Sequence, residues 1–170
     1  RLWTTIASDL SPLSVIPRGF GGSTTSDLDV YLERLVLVYQ PRAVVIYEGD
    51  NDTGRYQVPP GRIAEQFSAI VKNIHAALPN TRVYVISVLP VNQVNGGPVH
   101  DNASIRALNG QLKDLVAGFE GATFIDVFDK LVDGDENLKM EWTSDGLHLN
   151  DDGYLVLGRL LEPYVVEPLT

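Results

Sequence analysis

Ala43-Val44-Val45-Ile46-Tyr47-Glu48-Gly49-Asp50-Asn51-Asp52 is the stretch on which the fold turns. Its first half is almost continuously apolar and rich in β-branched residues. That is the pattern of a strand covered on both faces, as in a parallel sheet. Its second half is polar and carries a glycine, so the strand must run out into a loop at its carboxyl end. In open parallel sheets, ligands bind along that edge.

The same alternation extends outward in both directions. Downstream, Ile63, Phe67, Ile70, Ile74 and Leu78 mark one face of a helix over about 60–78, ended by Pro79-Asn80. Residues 83–89 form a second apolar strand, stopping at Pro90. A helix from Asn102 to Phe119 follows, with Ile105, Leu108, Leu112, Leu115 and Phe119 as its apolar stripe, and then a strand over 123–127. Residues 128–144 are irregular apart from a short helix near 128–131, and a last helix covers about Asp151–Pro163. Upstream, Leu13–Ile16 reads as a buried strand. It leads into Pro17-Arg18-Gly19-Phe20-Gly21-Gly22-Ser23-Thr24, then a helix starting at Thr25 or Ser26 with Leu28, Leu32 and Leu35 inward. Residues 1–11 resemble a helix end, because Leu2, Ile6 and Leu10 repeat every four positions. Strand and helix alternate four times, which predicts an α/β fold: a parallel sheet with helices on both faces, in a single domain over 1–170.

Composition narrows the function classes. The chain has 170 residues, 44% hydrophobic, with a net charge of -9 that repels phosphate, so nucleic acid and anionic membrane surfaces are not the expected partners. No apolar run reaches the roughly 18 residues of a membrane span. There is no cysteine, so disulfides, thiolate catalysis and cysteine-ligated zinc are excluded. The three histidines, His75, His100 and His148, lack metal-ligand spacing, and the glycine cluster lacks the phosphate-loop pattern, so no metal or cofactor is implied. His75 adjoins an apolar stripe and reads as a packing or surface residue, while His100 lies in the loop 90–101.

Chemistry concentrates in three loops. In Ser144-Asp145-Gly146-Leu147-His148, an acid three residues before an imidazole can take its Nδ1 proton in a hydrogen bond, leaving Nε2 as a base. The side-chain amide of Asn51 is a neutral donor, and an amide within Gly19–Gly22 is a second; together they suit an oxyanion. Asp52 is expected to hold its loop, Trp142 to pack under the Asp145–His148 turn, and Ser23, Thr24 and Ser144 to serve in caps and turns. The set is fit for acyl transfer and lacks a nucleophile.

At these residues the chain resembles the SGNH (GDSL) hydrolases. Arg18-Gly19-Phe20-Gly21-Gly22-Ser23 is similar to the block whose glycine N–H lines the oxyanion hole, here Gly22. Gly49-Asp50-Asn51-Asp52 matches the Gly-x-Asn-Asp block, which makes Asn51 the other donor. Asp145-Gly146-Leu147-His148 matches the Asp-x-x-His block of the triad. The resemblance implies a three-layer α/β/α fold with a flavodoxin-like sheet of strand order 2-1-3-4-5. It implies hydrolysis of a small-molecule carboxylic ester, with specificity loops over 53–60, 90–101 and 128–143 whose modest length suits short acyl groups. The block that carries the serine, with its strand, has no counterpart here. The chain is therefore expected to be an N-terminally incomplete SGNH domain whose interior first strand is missing. The competing expectation is a non-catalytic module that binds an ester or carbohydrate on a hydrolase scaffold.

Overall fold

A computed structural model describes residues 3–94 and 101–169. Helices α1 (Ile6–Asp9), α2 (Thr25–Val30) and α3 (Leu32–Leu35) precede strand β1 (Ala43–Ile46). Helix α4 (Asp50–Thr53) and helix α5 (Pro60–Ala77) lead to strand β2 (Arg82–Ile86). Helix α6 (Asn102–Val116) leads to strand β3 (Ala122–Ile125), and α7 (Phe128–Leu131) and α8 (Asp151–Leu169) close the chain. These elements fall into two compact units. One comprises Gly22–Val88 and Ala103–Asp126, the other Arg1–Gly21, Leu89–Asn102 and Val127–Thr170.

The first unit holds the sheet. Its order is β1-β2-β3, all parallel, with Val44 opposite Val83 and Val85 opposite Phe124. Val83, Tyr84, Val85 and Ile86 of β2 are all buried, so this central strand is covered on both faces. Ile63, Phe67, Ile70 and Ile74 of α5 are wholly inaccessible, as the helical spacing predicts, and so are Leu108 and Leu112 of α6. Val116 is also buried on α6 and takes the place expected for Leu115. Helix α2 begins as its sequence dictates. Thr24 caps it by accepting the Asp27 N–H, and the Asp27 carboxylate reaches back to the Thr24 N–H.

Strand β1 departs from expectation. Only Ile46 is buried, and Val45 and the following Tyr47 remain 38% exposed. The reason is position: β1 pairs with β2 on one side and with no described strand on the other. Leu13–Ile16, expected as a strand, is not one, and Ile16 is 55% exposed. An extended segment becomes a strand only by pairing, and no described strand is hydrogen-bonded to it.

In the second unit, Leu157, Leu161 and Val165 bury one face of α8, and Leu10, Val91, Phe128, Leu131 and Leu138 are buried as well. Helix α8 continues to Leu169, past the expected end at Pro163. Trp3 stacks on Tyr154 with ring centroids 5.5 Å apart, and Gly158 lets Trp3 and Asp9 approach the helix closely. The helical repeat anticipated over residues 1–11 is realised only at Ile6–Asp9, and its Leu2 lies outside the described residues.

Candidate active site

The acid–imidazole pair is assembled by a short turn in the second unit. Gly146 has φ +79°, a left-handed conformation that glycine adopts without steric cost. The turn brings His148 Nδ1 to 2.7 Å from Asp145 Oδ2. The other carboxylate oxygen accepts the backbone N–H groups of Leu147 at 2.9 Å and His148 at 2.7 Å. Burial works to raise the Asp145 pKa. The hydrogen bond from the His148 ring, the two backbone donors and the histidine's charge outweigh it, and the carboxyl is held well below its ordinary value. An ionised Asp145 holds the proton of His148 on Nδ1 and leaves Nε2 as the ring's acceptor. Both side chains are about half exposed.

The turn itself is braced from below. Buried Thr143 accepts the Gly146 N–H at 2.9 Å and donates its hydroxyl to the His148 carbonyl at 2.7 Å. The Gly146 carbonyl accepts the Asn92 N–H at 2.7 Å. Asn102 in turn fixes the neighbouring Val91 peptide at both its N–H and its carbonyl. Asn150 caps α8 by accepting the Gly153 N–H. Trp142 is half-buried, with Lys139 Nζ 4.3 Å above its ring.

The oxyanion candidates lie in the first unit. Gly22 has φ +78° and leads into buried Ser23. Asn51 sits in the first turn of α4, and its Nδ2 donates to the Ser23 carbonyl at 3.0 Å. A longer contact, 3.4 Å, runs from the same nitrogen to Asp50 Oδ1, so the amide is oriented between the Ser23 carbonyl and that carboxylate. The Asp50 carboxylate accepts the Asn51 N–H at 2.7 Å. Asp52 is buried, as its expected loop-holding role requires, and accepts both the N–H and the hydroxyl of Thr25. Gly49, at φ +111°, is hemmed in by Leu108 and Val88, each 3.1 Å from where a Cβ would stand.

Sequence reasoning passed over Glu48. Its carboxyl accepts the Ser23 hydroxyl at 2.7 Å. Burial first, then the negative charges of Asp50, Asp52 and Asp27, push its pKa up to about 7 against the opposing pull of the Ser23 bond. The available signal was a carboxylate placed just after the four apolar residues of β1 and Tyr47. Thr143 and Asn92 carried no such signal. Of the other residues singled out, Thr24 is a helix cap, and His75 is half-buried, its ring 3.6 Å from the position of a Cβ on Gly121. His100 lies outside the described residues. Among the described residues, no group of three acidic or histidine side chains is arranged to hold a metal ion. None of the described helices is long and apolar enough to cross a membrane.

The chain is similar to several known proteins. Platelet-activating factor acetylhydrolase IB subunit alpha1 of Homo sapiens is 30% identical over 164 residues, and that of Bos taurus 29% over 161; each alignment covers 94% of this chain and 67% of the relative. The chain thus spans about two thirds of the length of these relatives. A Streptococcus pneumonia structure provisionally assigned as a platelet activating factor superposes with a TM-score of 0.89 at 27% identity, covering 95% of this chain and 77% of the other. A GDSL-like lipase from Bacteroides thetaiotaomicron superposes at 0.79 with 22% identity, covering 91% and 76%, which speaks for the fold. The architecture is accordingly the three-layer α/β/α arrangement with a flavodoxin-like parallel sheet. The profile of GDSL-like lipases and acylhydrolases matches residues 1–156, and a match over that share of the sequence makes this chain a member of the GDSL-like lipase/acylhydrolase family.

Proposed function

We propose that the protein is a serine esterase acting on carboxylic esters with short acyl groups. The observation that carries this reading is the 2.7 Å contact between Asp145 and His148 Nδ1, which makes the imidazole a base with a fixed tautomer. In the proposed cycle, His148 Nε2 takes the proton of a serine hydroxyl as its oxygen attacks the ester carbonyl. The Gly22 N–H and the Asn51 amide receive the oxyanion. Collapse expels the alcohol, protonated by His148, and water activated by the same base releases the acid. Asp145 orients the ring and balances its charge throughout.

The serine is proposed to come from a strand preceding Arg1 that pairs along β1. One feature supports this: the side chains of β1 are partly uncovered, and no described strand pairs with β1 on the side away from β2. The acetylhydrolase names of the curated relatives support a short acyl group.

The test is turnover of p-nitrophenyl acetate and butyrate by the protein carrying its upstream segment. His148→Ala is expected to abolish turnover, and Asn51→Ala to lower kcat by roughly 10²–10³. Undetectable turnover, or His148→Ala at wild-type rate, would refute the reading. A serine-free upstream segment together with ester binding would establish the non-catalytic module instead.

A further inference from the structure

Glu48 is a carboxyl that the proposed cycle does not use, yet it touches the loop that carries Gly22, one of the two proposed oxyanion donors. It follows Tyr47 at the carboxyl end of β1 and accepts the hydroxyl of buried Ser23 at 2.7 Å. The carbonyl of that same Ser23 accepts Asn51 Nδ2 at 3.0 Å. Ser23 is also the residue directly after Gly22, whose N–H is the other proposed donor. One serine therefore links the carboxyl of Glu48 to both donors. The hydroxyl of Ser23, held in this way, is committed to structure and not to attack.

We propose that Glu48 is a positioning residue for the Gly22–Asn51 donor pair, anchoring the Ser23 peptide whose carbonyl holds the Asn51 amide. This rests on the esterase reading for its catalytic meaning. The Ser23 hydroxyl of the glycine-rich loop meets the Glu48 carboxyl, and the charges of Asp27 of α2 and of Asp50 and Asp52 of α4 act on it. Burial and these acids bring the Glu48 ionisation to about 7, so its charge changes within the working range of an esterase. Neutral Glu48 still accepts the Ser23 hydroxyl through its carbonyl oxygen. Ionised Glu48 places a negative charge beside donors that must receive an oxyanion, which slows the reaction.

The experiment compares wild type, Glu48→Gln and Glu48→Ala in the protein carrying its upstream segment. Glutamine keeps the acceptor and cannot ionise. It is expected to hold kcat within about threefold of wild type at pH 6, and to exceed it by roughly three- to tenfold at pH 8.5. Alanine is expected to lower kcat by about tenfold or more with KM within about twofold. An activity-independent measurement runs beside these: NMR titration of the Glu48 carboxyl carbon and the Asn51 side-chain amide. In wild type the amide resonance is expected to move with the Glu48 midpoint, and in Glu48→Gln to lose that movement. Glu48→Ala at wild-type kcat, Glu48→Gln as impaired as Glu48→Ala, or an Asn51 amide indifferent to the Glu48 titration would overturn the proposal. Absence of His148-dependent turnover with the NMR coupling intact would instead refute the esterase reading and leave the anchoring role standing.

Discussion

Replacing Glu48 by glutamine removes an ionisation that the folded state resists, and the effect on stability can be worked out. The folded carboxyl titrates at about 7 against 4.5 for an unperturbed one, burial being the main cause. Below 4.5 both the folded and the unfolded chain hold the proton, and the group leaves stability unaffected. Between 4.5 and 7 the unfolded chain releases it first, so folding grows less favourable as pH rises; above 7 that loss is complete. The difference between 4.5 and about 7, at ~1.4 kcal/mol per pH unit, caps the effect at about 3.5 kcal/mol. From pH 5 to pH 8.5, wild type should therefore lose about 2–3 kcal/mol that Glu48→Gln keeps. For a chain of this length that is about 4–12 °C in melting temperature. Urea or thermal melts of both proteins at the two pH values measure it. A gap between variant and wild type that stays constant from pH 5 to 8.5, or narrows, would refute the assignment of Glu48 as a half-buried, charge-averse carboxyl.

Other expectations are simpler. Gly22→Ala meets no atom within 4 Å at its new Cβ, so its cost is conformational, about 1–2 kcal/mol from the positive φ, measured by denaturant melts. Gly153→Ala would put a Cβ 2.6 Å from the Trp142 carbonyl oxygen, so the start of α8 must shift, and a loss of about 1–3 kcal/mol is expected by calorimetry. Thr143→Val keeps the shape but leaves the Gly146 N–H and the His148 carbonyl without their hydroxyl partner; about 1–3 kcal/mol of stability should go, with kcat falling more than KM changes. Because the Asp145 pKa is lowered, its stabilising contribution is present above the ordinary carboxylate value and is lost only as pH falls through the depressed one, so acid melts of Asp145→Asn should converge with wild type only in strong acid.

Periodicity carried much of the fold into the sequence. Phe67 and Ile70 are spaced as a buried helix face must be, and Val83–Ile86 of β2 run without a charge because both faces of that stretch are covered. The same signal misled at Leu13–Ile16, since an apolar run records a willingness to be buried and not the presence of a partner strand. The Asp145–His148 contact was legible because three residues of one tight turn bring it about locally. The bracing of that turn was not, because Asn92 lies more than fifty positions upstream and donates a backbone N–H that any residue but proline would have. Glu48 matters through Ser23, a contact across 25 residues that no local pattern encodes.

The side of β1 that no described strand pairs has a practical consequence for handling this polypeptide. A sheet margin that presents a partly exposed valine and no described neighbouring strand offers a template on which another extended chain can be added. Concentrated preparations of these 170 residues should therefore be sticky in a concentration-dependent way, and a lysine introduced at Val45 should keep them dispersed.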